Sequence, residues 1–542
     1  MLPRTNGAWS GAPVVRDYLQ HGQHPTFIFL HTEDSLSSTD PRNRGGESPW
    51  GKTRNAYLLG NWAPMLEEEE FRDLPVTGTV PPELTGKTLI RTGPNPRFKP
   101  LDMKYYHWFD GDGMLNAFYF EAGGVRYKNK WVETKKWILE NEAASALYGG
   151  LRTASSTTLE GWMKLRFGLF NLLWLGIRKL LGWGPTRSQF ESIATILNCG
   201  NTSVVQQGDK LMALDEAGQP YLLDRELGTL GLYDYGGKLV GPAIAHPRSD
   251  PFTGESFTMG YNALPPYFQY YRIGPSGAIE QYEPIDVPYG VMMHSFGLSE
   301  HYVVFFHMPA VFDIRNVGTR EPFRWMPERG ARLGVMPRNG ASSDTKWFEI
   351  PTCWVFHSMN VWEDGDCLVT DVAKYPRIPL LDLPTQNPSP PFSLDATAAL
   401  VRWRLNTKTG ELKEEVITPE ASEFPTMDDR FLTKRHRHGW YVYLDQGDDN
   451  IGLWNTVMHY DFETGARDSF HVGEGCYTGE ALFTPKHTDS PEGDGYVMNV
   501  VYDMKDNRSR LLIFDAQRVS AGPLATVQLP RRIEYDFHGN IV

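Results

Sequence analysis

Tyr535-Asp536-Phe537-His538-Gly539-Asn540 stands at the very end of this 542-residue chain, where a segment normally frays unless something ties it down. A bound metal would tie it down through His538. Three more histidines lie in short patterned segments far upstream: Ala245-His246-Pro247-Arg248-Ser249-Asp250-Pro251, Met293-His294-Ser295-Phe296-Gly297-Leu298 and Val355-Phe356-His357-Ser358-Met359-Asn360. Each sets one imidazole among small or aromatic residues, as a ligand projecting from a strand end into a shielded cavity requires. Ligands spread over such a length of chain suggest a metal at the centre of a closed, multi-bladed β-structure. Composition alone does not select these four from the 15 histidines present, most of which, in any protein, are surface or satisfied core residues.

Working outward, the chain from Asn61 onward alternates short apolar runs with turn signals. Examples are Val125-Arg126-Tyr127-Lys128-Asn129-Lys130-Trp131-Val132, Lys210-Leu211-Met212-Ala213-Leu214 and His301-Tyr302-Val303-Val304-Phe305-Phe306. Asp110-Gly111-Asp112-Gly113, Asp364-Gly365-Asp366 and Glu492-Gly493-Asp494-Gly495 read as turns between them. Aromatic residues at 13 %, with 52 Gly and 39 Pro, fit many short strands better than a helical bundle. The expectation is an all-β radial propeller or barrel, and closed sheets of this kind run long as one unit. No strict 40-residue repeat marks it as a WD-type array.

A net charge of −13 excludes nucleic acid as the natural partner, because phosphate binding needs a basic surface. Cys199, Cys353, Cys367 and Cys476 are too few and too scattered for a disulfide framework, and are read as reduced core residues. Residues 1–55 form an irregular extension without a signal-peptide pattern. Thr26-Phe27-Ile28-Phe29-Leu30 is an apolar island within it, read either as a strand or as a docking segment. The expected compartment is the cytoplasm.

One stretch breaks the β pattern. Residues 160–185 contain Trp162–Trp183, WMKLRFGLFNLLWLGIRKLLGW, which has no acidic residue and carries Lys164, Arg166, Arg178 and Lys179. Its uncharged core, Phe167 to Ile177, is about half of the ~20 residues that cross a bilayer. A basic, aromatic-rich apolar helix suits a membrane surface, with its apolar face in the acyl boundary and its cations at the head groups. The alternative is a core helix, in which each cation would need its own route to solvent.

These segments, together with Leu74-Pro75-Val76-Thr77-Gly78-Thr79-Val80-Pro81-Pro82-Glu83-Leu84, Gly93-Pro94-Asn95-Pro96 and His107-Trp108-Phe109-Asp110-Gly111-Asp112-Gly113-Met114, resemble the carotenoid cleavage oxygenase family. That family contains carotenoid, apocarotenoid and stilbene-cleaving dioxygenases and the retinoid isomerohydrolase of the animal eye. The resemblance runs from Asn61 to Val542. It implies a seven-bladed β-propeller over residues 56–542, with a helical and loop dome over the iron-bearing face. Fe(II) would be held by His246, His294, His357 and His538, with Glu216, Glu423 and Glu480 orienting His294, His357 and His538. Imidazole suits Fe(II), and a ligating ring needs its second nitrogen fixed, commonly by a carboxylate. The activity implied is cleavage of a carbon–carbon double bond by O2 into two carbonyl fragments. No catalytic residue beyond the metal centre is required, and no Ser-His-Asp or Cys-His arrangement is evident. Departures from the family pattern are Ser295 after His294, Ala481 after Glu480 and Ile541 near the C-terminus; none removes a ligand.

Stilbene-cleaving relatives grip a phenol with a Tyr and a Lys. Alignment of Leu147-Tyr148-Gly149-Gly150-Leu151-Arg152 and Leu211-Met212-Ala213-Leu214-Asp215-Glu216 with their motifs puts Leu151 and Leu214 at those positions. A buried phenol without partners costs ~1–3 kcal/mol, whereas an apolar polyene loses nothing. With the basic helix as a seat on a membrane holding lipid-soluble substrate, this favours a carotenoid or apocarotenoid over a stilbene or phenylpropene. Phe109, Trp354 and Phe356 are candidate pocket walls. The other readings are a phenolic-alkene oxygenase with a different grip, an isomerohydrolase on the same iron, and a propeller that binds without chemistry.

Overall fold

The computed structural model describes residues 48–53, 55–150, 198–216, 218–263, 265–312, 323–379, 397–445 and 454–542. Seven antiparallel sheets, each a blade, arise in chain order. Blade 1 runs from Ser203–Gln207 through Lys210–Leu214 and Tyr221–Leu223 to Thr229–Leu232; blade 2 from Arg248–Ser249 through Ser256–Tyr261 and Phe268–Ile273 to Ile279–Pro284. Blade 3 contains Phe296–Leu298, Tyr302–His307, Ala331–Pro337 and Lys346–Ile350. Blade 4 contains Trp354–Asp364, Cys367–Tyr375, Ala399–Asn406 and Leu412–Thr418, and blade 5 contains Ser422–Met427, His438–Tyr443, Thr456–Asp461 and Ala466–His471. The chain is thus the all-β, seven-bladed propeller that the resemblance implies.

Blades 6 and 7 close the ring by mixing early and late strands. In blade 6, Cys476–Thr478 and Leu482–Pro485 both pair with Gly495–Asp503, followed by Arg508–Asp515, Ala525–Gln528 and the early strand Val76–Gly78. In blade 7 the order is Glu70–Phe71, Gly124–Trp131, Gly113–Glu121, Thr88–Pro94 and the late strand His538–Ile541. Register there sets Thr92 opposite His538 and Leu89 opposite Ile541. The frayed end expected of Tyr535–Asn540 is therefore part of a ladder.

Burial grades across each blade as the sequence pattern demands. Middle strands are covered on both faces and read as apolar runs, for example Gly113–Glu121, buried at every position but the last. Outer strands alternate, as Ile279–Pro284 does, or turn mostly outward, as Leu412–Thr418 does. Large rings weld neighbouring blades: Trp440 of blade 5 stacks on Phe483 of blade 6 at 4.5 Å and donates its indole N–H to the Ala516 carbonyl at 2.7 Å.

Of the turns read from the sequence, one needs correction. Asp364-Gly365-Asp366 is a hairpin tip, with Asp364 opposite Cys367 and Gly365 at φ +60°. Asp110–Gly113, by contrast, is a buried joint and not a surface turn: Asp112 is 2 % exposed and takes Lys136 Nζ at 2.5 Å and the Arg97 N–H at 3.0 Å. As for a helical dome, the one α-helix among the described residues is Lys135–Ala143, capped by Thr134 and tied inward by Lys136 between Asp112 and Glu140. Residues 160–185, Leu151 and nearly all of the extension at residues 1–55 lie outside the described residues. The four cysteines are free and three of them are buried.

At the sequence level, loss of the last five residues reads as loss of one ligand and little else. The structure makes those residues the inner strand of blade 7, so truncation also removes a ladder, about 4 kcal/mol at roughly 1 kcal/mol per hydrogen bond. Truncation after Phe537 should lower the urea midpoint strongly, while His538→Ala should lower metal content with a much smaller loss of midpoint. Equal midpoints for the two variants would mean that the strand does not close the ring.

Candidate metal centre

The four histidines converge on the propeller axis from blade edges. His538 begins an inner strand, and His246 and His294 each lie two residues before one. His357 lies within Trp354–Asp364, where the register slips between Val355 and Ser358 and again before Asn360. Such a bulge re-aims a side chain out of the ladder, and here it serves a ligand candidate. The four ligand atoms lie within 4.8 Å of one another. His294 Nε2 is 2.9 Å from His246 Nε2 and 3.2 Å from His357 Nε2.

The outer nitrogens explain the inner ones. His357 Nδ1 donates to Glu423 Oε2 at 2.6 Å and His538 Nδ1 to Glu480 Oε1 at 2.8 Å; His294 Nδ1 lies 3.0 Å from Glu216 Oε2. Once Nδ1 of His357 and His538 carries the proton, their Nε2 atoms face inward as bare lone pairs. Converging lone pairs repel unless a cation lies between them, so this donor set fits a divalent metal that prefers imidazole. Burial keeps His246, His357 and His538 uncharged, as such a site requires. Burial drives His246 and His538 well below the usual imidazole range, and pushes His357 down to about 4 against the pull of Glu423.

Each carboxylate has its own anchor. Glu216 accepts the Tyr261 hydroxyl at 3.0 Å. Glu423 accepts the Tyr375 hydroxyl at 2.8 Å and the Phe424 N–H at 2.6 Å, and although burial opposes its charge, His357 and these donors hold it low. Glu480 accepts the Gly539 N–H at 3.0 Å, and burial pushes it up to about 7 despite nearby Arg91. Arg91, 1 % exposed, forks onto Asp536 at 2.7 and 2.8 Å and also donates to the carbonyls of Glu480 and Phe537. It thereby binds the Glu480 loop to the strand that bears His538. His246 has no carboxylate on its ring among the described residues; two residues on, Arg248 Nη2 donates to Ser358 O and Oγ at 2.5 and 3.0 Å.

Aromatic residues wall the centre. Phe356 packs edge-on to His294 at 5.2 Å, with Trp354 behind it at 5.2 Å. Phe109 meets Phe537, the neighbour of His538, at 5.1 Å. Phe424 stacks on His357 at 5.4 Å and touches His538 at 5.3 Å, with its backbone at φ +52°. A non-glycine residue in that region is strained, and such strain persists where surrounding contacts impose it. Leu214 is buried in blade 1. Sequence reasoning missed Tyr261, Tyr375, Arg91, Asp536, Arg248 and Phe424. A lone Arg in the apolar run Leu89-Ile90-Arg91 signalled that a buried partner was needed, and Pro425 marked the interrupted strand beside Glu423.

A propeller whose axis carries converging, carboxylate-backed imidazoles presents an all-histidine donor set that could hold a metal. Comparison places it more narrowly: the chain belongs to the carotenoid cleavage oxygenase family, matching over residues 62–542 the family described as Retinal pigment epithelial membrane protein (RPE65). It is 33 % identical over 507 residues to a carotenoid 9,10(9',10')-cleavage dioxygenase of Crocus sativus, covering 90 % of this chain and 89 % of that one. It is 31 % identical to an isoeugenol monooxygenase of Pseudomonas nitroreducens, covering 89 % and 97 %. Among solved structures, the lignostilbene dioxygenase of Pseudomonas brassicacearum superposes with a TM-score of 0.78 at 25 % identity, over 92 % of this chain and 99 % of that one. A cobalt-substituted apocarotenoid oxygenase of Synechocystis gives 0.74 at 25 %, over 88 % and 97 %. The chain is an oxygenase of this family.

Glu423→Gln keeps the shape but weakens the lock on the His357 proton, and should lower affinity for a divalent metal about 10- to 100-fold; equilibrium titration with Co(II) measures it, and unchanged affinity would remove Glu423 from the site. A second expectation concerns pH. An unfolded histidine takes up a proton near 6.5 while folded His357 refuses it down to about 4, so this group's contribution to stability is lost as pH falls through that window. Between pH 7 and 5 the metal-free parent should lose up to about 2 kcal/mol more than metal-free His357→Gln, as read from urea unfolding. Equal losses would show that the ring is not buried neutral.

Proposed function

We propose that the chain is a non-haem Fe(II) dioxygenase that cleaves a double bond of a carotenoid or apocarotenoid with O2, giving two carbonyl products. His246, His294, His357 and His538 would hold the iron, with Glu216, Glu423 and Glu480 behind three of the rings. The observation that carries the reading is the inward set of bare imidazole nitrogens inside an aromatic wall. Fe(II) bound there would supply the open-shell, Lewis-acidic chemistry through which O2 reacts with an alkene. The protein's part is to keep the ligands neutral, fix their tautomers and exclude water from the reacting bond.

An apolar polyene suits this wall. Phe356, Trp354 and Phe109 offer no hydroxyl or cation, and the Tyr261 and Tyr375 hydroxyls, close to the ligands, are committed to Glu216 and Glu423. The carotenoid-cleaving relatives support this choice. The isoeugenol and lignostilbene relatives support the second reading, a phenolic alkene held by a grip other than Leu151 and Leu214. Trp162–Trp183 would seat the enzyme on a membrane, the phase that holds polyenes. Among the described residues no helix is long and apolar enough to cross one.

The test is product analysis of Fe(II)-loaded protein in air, with an apocarotenal in anionic vesicles and a hydroxystilbene in buffer. Two carbonyl fragments from the polyene alone, with the protein pelleting with the vesicles, are expected. Cleavage of the phenol alone would overturn the substrate reading, and protein left in the supernatant would overturn the membrane seat.

A further inference from the structure

The propeller axis continues past the histidines into a cavity of about 530 Å³, lined at one end by His246, His357, His538 and Glu480 and at the other by the exposed Ser249 and Pro251. Its lining shows which side of the centre this is. Ser295, Ser358 and Gly539 line the cavity together with Ala245, Leu214 and Phe424, whereas Phe109, Trp354, Phe356 and Phe537 do not. The centre therefore has an aromatic side and a second side of different character.

That second side mixes apolar residues with polar groups placed to hold water. Ser295 Oγ and Thr258 Oγ1 line the cavity, are 2 % and 3 % exposed, and have no partner among the described residues. Buried hydroxyls left so are ordinarily satisfied by ordered water, and the volume holds on the order of ten waters. Asp428 and Asp429 line it too, Asp428 paired with Arg430 at 2.6 Å. Arg248 reaches across from blade 2 to Ser358 of blade 4, passing the inner strand of blade 3, and forms no ion pair within 4.0 Å among the described residues. Its guanidinium is thus a cation set across a polar shaft.

A hydrated divalent ion sheds water at great cost, and an aromatic passage gives nothing in return. We propose that the metal reaches and leaves the four histidines along this axial shaft, through the face opposite the aromatic side, and that Arg248 braced on Ser358 is the bar that slows its exchange. The inference rests on the metal reading above and adds a route to it. The carboxylate of Asp429 draws the ion inward, and the fixed positive charge of Arg248 raises the barrier in both directions.

Metal-free full-length protein is loaded with Co(II) and stripped with EDTA, with the Co(II) absorption followed in time and metal content measured at saturation. Ser249→Trp and Gln206→Trp narrow the outer end from two blades and lie outside the ligand set. Each should slow loading and stripping on the order of tenfold, equivalent to ~1.4 kcal/mol of added barrier, with saturating content unchanged. Arg248→Ala should speed both. Parent-like rates in whichever tryptophan variant folds, together with no acceleration in Arg248→Ala, would overturn the route while leaving the metal site standing. A parent chain that holds no stoichiometric Co(II) would overturn both readings.

Discussion

Everything at the centre depends on the pairing of His538–Ile541 with Thr88–Pro94. A propeller needs its last blade to be completed by strands distant in sequence, and here the completing strand begins with a candidate ligand. Arg91 makes the coupling rigid: it sits on the receiving strand and grips Asp536 and the carbonyls of Phe537 and Glu480. A buried, bidentate pair of this kind is costly to break, because removing one partner leaves the other charge stranded. Closure of the ring and definition of the site are the same physical event.

Much of this was legible in the sequence. Apolar runs between turn signals gave an all-β chain, and the patterned segments around His246, His294, His357 and His538 gave the candidate ligands once the family resemblance was recognised. What the sequence hid was the layer behind the carboxylates. Tyr261 and Tyr375 look like ordinary strand aromatics, since alternation predicts that a tyrosine is buried but not which oxygen its hydroxyl meets. Phe424 was hidden for another reason: its left-handed backbone arises from the bulge between Glu423 and Thr426, a register defect with no local signature except Pro425. Asp110–Gly113 misled in the opposite direction, because Lys136, brought in by a helix, turned a turn-like string into a buried joint.

The site has three supports of unlike chemistry. Two carboxylates lean on phenols and one on the neighbourhood of a guanidinium, while among the described residues His246 has no carboxylate and only the nearby brace of Arg248 on Ser358. Uneven support of this kind gives the four ligands unequal basicity even though all are imidazoles. The fold itself does not set the substrate, which is how relatives named for carotenoids, isoeugenol and lignostilbene can share one architecture.

The tautomer lock has a further consequence for proton accounting. Thiolate sites must shed protons to take up a metal. Here His246, His357 and His538 are already uncharged near neutrality, and the protons of His357 and His538 are held on the outward nitrogen by Glu423 and Glu480. Metal uptake by these three rings thus takes no proton from them at neutral pH, and Glu480, which burial pushes up to about 7, is the group behind them whose charge answers to modest acidification.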